Sequence, residues 1–112
     1  MGPLLSSITI LPLSGIASAP VVAKQLIGFD DAPAGAGDLV KGVAQYDAKT
    51  GDAFEVGAIG VFDLIAGAAI TKGDKIQSDA ASKPIPLNGG ETFAIALTSA
   101  VNPGDVVKVL IK

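Results

Sequence analysis

The sequence contains no cysteine, no histidine and no tryptophan, and lysine supplies all 8 of its positive charges because arginine is also missing. Without cysteine the chain forms no disulfide framework and offers no thiolate nucleophile. Without histidine it lacks the usual general base near neutral pH, the Ser-His-Asp and Cys-His triads and the usual zinc ligands. The composition argues against an enzyme and predicts no catalytic residue, no metal site and no cofactor.

Charge is scarce as well, at 17% of the residues, and the 11 acidic residues outweigh the basic ones to give a net charge of −3. Phosphate-binding surfaces use arginine forks and a clustered positive field, so we expect no nucleic-acid partner. The apolar segment from Leu4 to Leu13 is far shorter than the roughly 20 residues of a membrane-spanning helix, and no lysine precedes it. We therefore expect a soluble chain with no leader and no membrane partner.

Apolar residues are abundant: they make up 49% of the 112 residues, and the mean hydropathy is +0.54. A single domain of this length buries roughly two thirds of the surface that its unfolded chain exposes. Part of the apolar surplus is therefore expected to face another protein surface. Abundant alanine and glycine are the alternative explanation of the same figure.

Short runs of strand-forming residues alternate with glycine and proline, and their hydrophobic period is two. In the last run Val107, Val109 and Ile111 alternate with Lys108 and Lys112. The predicted strands cover residues 21–27, 38–46, 53–65, 75–78, 91–97 and 105–112, and residues 66–70 form at most a turn. Short strands separated by turns predict an all-β fold, a small β-barrel or β-sandwich.

The first twenty residues differ from the rest because they contain Pro3, Pro12 and Pro20 and no charge. Proline fixes φ and disfavours helix at the residue before it, so this segment is predicted to be extended, with at most a short strand around residues 6–11. We therefore divide the chain into an extended N-terminal arm, residues 1–20, and a β-domain, residues 21–112. The arm either docks on another protein or forms an ordinary edge strand of the same domain.

The dipeptide Gly-Asp precedes a strand four times, at residues 37–38, 51–52, 73–74 and 104–105. Glycine supplies the positive φ of a tight turn, and the aspartate side chain caps that turn. A calcium site needs several oxygen ligands in one short loop, as in D-x-[DN]-x-[DN]-G, and no segment matches that pattern. The spacings are too uneven for a solenoid repeat. We interpret the four dipeptides as turns.

No other motif indicates catalysis. Asp30 and Asp31 are predicted to lie in a solvated loop, and the sequence contains neither Ser-x-x-Lys nor G-K-[ST]. Lys49 lies at a predicted hairpin tip, the position that biotinyl and lipoyl carriers modify. A small β-barrel module that carries such a group or binds carbohydrate is therefore the alternative function, although an aromatic content of 4% makes a sugar platform hard to build. The favoured interpretation has no small-molecule substrate.

Five segments resemble one known family. They are GDLVKGV at residues 37–43, EVGAIGVFDL at 55–64, TKGDKI at 71–76, FAIAL at 93–97 and PGDVVKV at 103–109. They resemble the DUF2190-type capsid cement proteins of tailed phages, which are similar in role to the decoration protein of phage lambda. The resemblance covers roughly residues 21–112. Ile76 stands where an aromatic residue is common in that family, and residues 93–96 lack its glycine.

This resemblance implies a β-tulip-like barrel that forms a homotrimer on the outer surface of the virion capsid after synthesis in the host cytoplasm. Its partner would be the major capsid protein, and its role would be to stabilise the expanded shell. The arm would add an extended strand to a sheet edge of that partner, and the three arms of a trimer would act multivalently. The candidate capsid-binding residues are Leu4, Leu5, Ile8, Ile10, Leu11 and Leu13.

Overall fold

The computed structural model describes residues 8–112, which form eight strands and no helix, and hence no helix long and apolar enough to cross a membrane. The strands are β1 (Ile8–Ile16), β2 (Leu26–Gly28), β3 (Val40–Ala44), β4 (Ala53–Ile65), β5 (Lys75–Ser78), β6 (Pro84–Pro86), β7 (Ala94–Ala96) and β8 (Val106–Ile111). All pairings between them are antiparallel. The sheet order is β2-β3-β4-β8-β7-β5-β6, and β1 pairs with β4 beside this path.

The sheet curls into a nearly closed barrel, which confirms the predicted fold class. Its two ends are joined by hydrogen bonds outside the regular ladders. Leu26 N donates to Ser82 O at 3.1 Å, and Gly37 N donates to Ser78 O at 2.9 Å. Because Leu26 begins β2 and Ser82 lies in the turn between β5 and β6, these bonds close the gap between the first and last strands of the path.

The barrel consists of two halves that repeat one pattern of pairing. The first half contains β1, β2, β3 and the first part of β4, and the second contains the rest of β4, β5, β7 and β8. The pair Ile16–Ala53 in the first half corresponds to the pair Ile65–Val106 in the second. Likewise the pair Leu26–Val43 corresponds to the pair Lys75–Ile95. Three backbone hydrogen bonds of the first half recur in the second. Ala17 N to Asp52 O corresponds to Ala66 N to Asp105 O, and Val21 N to Ala48 O corresponds to Ile70 N to Ala100 O. Lys24 N to Ala44 O corresponds to Gly73 N to Ala96 O.

The two halves also bury equivalent positions. The smaller core cluster contains Ala17, Val21, Ile27, Ala44, Ala48, Phe54 and Val56. Each has its counterpart in the larger cluster, in the same order Ala66, Ile70, Ile76, Ala96, Ala100, Val107 and Val109. β4 supplies Phe54 and Val56 to the smaller cluster and Phe62 and Leu64 to the larger one, so this strand links both cores.

The structure corrects two of the predicted elements. The predicted strand at residues 21–27 is wrong over its middle, because Gln25 N donates to Val22 O across a turn and Lys24 has a φ of 72°. β6 was not predicted because it contains two prolines. It is the last strand of the sheet path, and an edge strand does not need every N–H for a ladder. The predicted strands 53–65 and 75–78 have the same bounds as β4 and β5.

All four Gly-Asp dipeptides form the predicted turns. The glycines have φ values of 69°, 91°, 92° and 94°. In each turn the aspartate Oδ2 accepts the backbone N–H of the residue three positions earlier, at distances between 2.8 and 3.2 Å. The four donors are Gly35, Lys49, Thr71 and Asn102. The prediction that aspartate caps each turn is therefore confirmed.

The repeat yields a prediction about stability at Lys24, which occupies the position that Gly73 occupies in the second half, with a φ of 72° against 92°. Left-handed backbone costs a residue with a Cβ about 1–2 kcal/mol. We expect Lys24→Gly to raise the free energy of unfolding by roughly 0.5–1 kcal/mol in denaturant titration, since the more flexible unfolded chain offsets part of the gain. Lys72→Gly, in the equivalent loop but without a positive φ, is the control, and an equal gain there would contradict the prediction.

Candidate docking surface

β1 is a strand with one paired edge and one open edge. It runs antiparallel to β4, from Ile8 opposite Val61 to Ile16 opposite Ala53. Within residues 8–112 no strand pairs with its other edge. An open edge presents a row of backbone N–H and C=O groups that a second extended segment can join.

The structure places the four described candidate residues on β1, and it leaves all four exposed. Their exposed fractions are 54% for Ile8, 68% for Ile10, 42% for Leu11 and 38% for Leu13. Ile16, which is 58% exposed, belongs to the same surface. The sequence prediction did not include Ile16, because its candidate residues ended at Leu13. Leu4 and Leu5 lie outside the described residues. We call the five side chains the edge-strand surface: Ile8, Ile10, Leu11, Leu13 and Ile16.

The edge-strand surface is apolar on both faces of β1. Directly opposed residues of paired strands project to the same face, and successive residues of one strand project to opposite faces. Leu13 lies opposite the buried Val56 and Ile16 lies opposite Ala53, three positions apart along a part of the ladder without register shifts, so these two side chains project to opposite faces. Contiguous exposed apolar side chains of this kind mark an interaction surface in a soluble protein.

β1 is longer than predicted and continues through Pro12 to Ile16. The pairing with β4 shifts between Thr9 and Leu11 and again between Leu11 and Pro12. Proline is tolerated at such an irregularity and on an edge strand, because the N–H that it lacks would face solvent. Gly60 has a φ of 147° and lies opposite Thr9. A Cβ at this position would collide with the Ile8 carbonyl oxygen, so the close approach of β1 requires glycine here.

The sequence leaves two roles open for this segment: docking on another protein, or forming an edge strand of the same domain. The pairing of β1 with β4 is that of an edge strand. The residue after it, Ala17, is buried and is held on both sides, since its N–H donates to Asp52 O and its carbonyl accepts from Gly51 N. The open edge and the exposed side chains keep the docking role available to the same strand. The division into an arm, residues 1–20, and a domain, residues 21–112, stays a prediction.

The aspartate side chains of the described chain accept backbone N–H groups or form ion pairs. Seven of the nine aspartates accept backbone N–H groups: Asp30, Asp38, Asp47, Asp52, Asp74, Asp79 and Asp105. The other two, Asp31 and Asp63, form ion pairs with Lys41 and Lys108. Among residues 8–112 no three His, Cys, Asp or Glu residues are grouped so that they could hold a metal ion. Local turn construction thus accounts for most of the acidic composition.

Lys49, on which the alternative carrier function depends, begins the turn between β3 and β4 and is exposed. This agrees with the predicted hairpin tip. The equivalent turn of the second half begins at Asn102, and both residues donate their N–H to the aspartate that closes the turn. The surroundings of Lys49 are those of an ordinary capped turn.

A small β-barrel with an open, apolar edge strand defines a class of protein that attaches to other proteins. Comparison with known families gives the particular assignment. The model of the phage cement protein family matches residues 8–111, so the chain belongs to the phage cement protein family and has a structural role in the phage capsid. The match begins with β1, which corrects the expectation that the family pattern starts near residue 21. The DUF2190 subdivision stays a prediction.

A solved structure has the same fold. The chain is similar to the N base of head fiber gp8.5 in bacteriophage phi29, with a TM-score of 0.72 and 23% sequence identity. The similarity covers 91% of this chain and 93% of the phi29 chain. At this identity it shows the fold alone. None of the curated proteins compared with the chain matches it.

Proposed function

We propose that the chain binds the outer surface of a tailed-phage head as a homotrimer and stabilises the expanded shell by contacts to the major capsid protein. The observation that carries the proposal is the edge-strand surface on β1, which is open along one edge and apolar on both faces. Membership of the phage cement protein family supports a capsid protein as the occupant of that surface.

The attachment would work by strand addition. An extended segment of the major capsid protein pairs with the open edge of β1, and its backbone supplies hydrogen bonds while its side chains cover the edge-strand surface. Covering the exposed part of a large apolar side chain contributes about 1 kcal/mol, at roughly 25 cal/mol per Å² of apolar area. One contact of this size is weak after the cost of association, and three on one trimer act multivalently.

Contacts between copies would use apolar side chains away from β1. The most exposed of these are Val22, Phe29, Leu39, Tyr46, Val101 and Val106. A chain of this size leaves such residues uncovered when it is alone, so burial between copies lowers the apolar area in contact with water. This supports association between copies of the chain.

The proposal is tested by adding the purified chain to expanded shells of its own phage that lack it. We expect a mass in solution of about three times 11.1 kDa and saturable binding to the shells. We also expect the occupied shells to survive heating and low salt better than bare shells do. A monomer that leaves the shells unoccupied would contradict the proposal and would favour the small binding or carrier module instead.

A further inference from the structure

A cleft of about 350 Å³ lies apart from the edge-strand surface, between the starts of β3 and β7 and the end of β8. Its apolar lining includes Phe93, Ile95 and Leu110, which are all half-buried. In β7 the small residues Ala94 and Ala96 are the buried ones. The alternation of that strand therefore turns Ile95 outward. Together with Phe93, which precedes β7 and also packs against the larger core cluster, it forms one wall of the cleft.

Three of the eight lysines border this cleft: Lys41, Lys75 and Lys112. Lys41 is paired with Asp31, whereas Lys75 and Lys112 are exposed and have no side-chain acceptor within residues 8–112. An apolar lining bordered by two lysines with available ammonium groups is complementary to an apolar side chain flanked by carboxylates. We call this site the lysine-bordered cleft.

The carboxylates of a second copy are poorly placed to fill the lysine-bordered cleft. Every aspartate in residues 8–112 already accepts a backbone N–H or forms an ion pair, and only Glu55 and Glu91 lack a side-chain partner there. Glu91 precedes Thr92, which itself lines the cleft, so it belongs to the same surface. A second copy thus offers only Glu55 as an available carboxylate away from the cleft within the described residues, which is too few for both lysines, so the complementary charges are expected to come from a different protein.

We propose that the lysine-bordered cleft binds an extended acidic segment of the shell protein, and this inference rests on the proposed capsid attachment. One apolar side chain of that segment packs on Phe93, Ile95 and Leu110. Carboxylates on either side of it form charge-assisted hydrogen bonds with Lys75 and Lys112. The site is a second attachment point, independent of strand addition at β1, and its ionic part weakens as salt rises.

The first test is binding of the full chain to shells after the double charge reversal Lys75→Glu with Lys112→Glu. We expect binding about tenfold weaker than wild type at low salt, because two attractive pairs become repulsive. Lys49→Glu with Lys72→Glu changes the net charge equally at exposed turn lysines and is expected to bind within about twofold of wild type. Equal affinity of the cleft variant and this control would overturn the inference.

The second test needs no shell and separates the two proposals. The probe is the peptide acetyl-Gly-Glu-Leu-Glu-Gly-amide, titrated into the isotope-labelled chain and followed by NMR. We expect saturable shifts at Phe93, Ile95 and Leu110 in the millimolar range, and none with the peptide in which lysine replaces both glutamates. Absent or equal shifts would overturn the inference. If wild type ignores shells but these shifts appear, the proposed attachment fails while the acidic specificity of the cleft holds.

One further outcome identifies a different occupant. If the Lys75→Glu, Lys112→Glu variant becomes monomeric in solution while wild type and the control variant are trimers, a second copy fills the cleft. That result would overturn the assignment to the shell protein. Retention of the wild-type mass together with lost shell binding supports it.

Discussion

The double substitution Ile10→Asp with Leu13→Asp is expected to lower the affinity for shells at least about 100-fold. Each carboxylate would have to be desolvated against the partner segment, and two apolar anchors on the edge-strand surface are lost. The free energy of unfolding is expected to change by less than about 1 kcal/mol, because both side chains are exposed in the isolated protein. Binding is measured by sedimentation with shells, and stability by denaturant titration.

The matched control adds the same charge elsewhere. Thr50 and Ala80 are exposed and lie outside the strands, so Thr50→Asp with Ala80→Asp keeps β1 intact while adding two negative charges. Shell binding by the Ile10, Leu13 variant that equals the binding of this control would rule out β1 as the attachment strand. Deletion of residues 1–20 is a less direct test, because it also removes the buried Ala17 and its hydrogen bonds.

The second large effect is expected at Gly42, inside β3. A Cβ at this position would collide with the Gly57 carbonyl oxygen and lie 2.7 Å from Val56 Cγ1. β4 has little freedom to retreat, since β1 pairs with its opposite edge along the same residues. We expect Gly42→Ala to destabilise the fold by about 3 kcal/mol or more, at the upper end of overpacking costs.

Gly51→Ala is the comparison that isolates this collision. Gly51 has a φ of 91° and no heavy atom within 4 Å of its ideal Cβ, so alanine there meets backbone strain alone and is expected to cost about 1–2 kcal/mol. Both variants are compared by denaturant unfolding. A cost at Gly42 no greater than that at Gly51 would show that β3 and β4 are less tightly packed than the structure indicates.

The sequence predicts the elements whose local signals agree with one another. β4 and β5 alternate regularly and are bounded by glycine turns, so their bounds follow from the pattern alone. β1 and β6 contain prolines, which normally argue against a strand. The prolines are tolerated because β1 lies beside the sheet path and β6 lies at its end. The position of a strand in the sheet depends on the whole topology, so local sequence does not predict it.

The internal repeat could not be predicted because equivalent positions use different residues for the same bond. In the first half Val22 N donates to Gln25 Oε1, and in the second half Thr71 N donates to Asp74 Oδ2. Likewise Ala23 N donates to Asp47 Oδ1 where Lys72 N donates to Ser99 Oγ. Because the residue types differ, comparing the two halves by sequence does not show that these positions correspond. The extra strand β6 also shifts the spacing between equivalent positions.

The two proposed binding surfaces differ in how far the sequence shows them. Ile8, Ile10, Leu11 and Leu13 are neighbours in an uncharged apolar segment, so their shared role could be proposed from composition. The lysine-bordered cleft brings together Lys41, Lys75 and Lys112 from three distant segments. Only the barrel closure and the order of strands bring them together, and neither follows from local patterns.

The position of β1 beside β4 determines how a mechanical load would enter the molecule. A pull along β1 acts parallel to its strand axis, whereas the hydrogen bonds to β4 are perpendicular to that axis. All of these bonds therefore bear the load at the same time and do not break one after another. β4 then carries the force into side chains of both core clusters, through Phe54 and Val56 on one side and Phe62 and Leu64 on the other. If the shell holds β1, as proposed, a shell straining outward would load β4, the strand that links both core clusters, along its own axis.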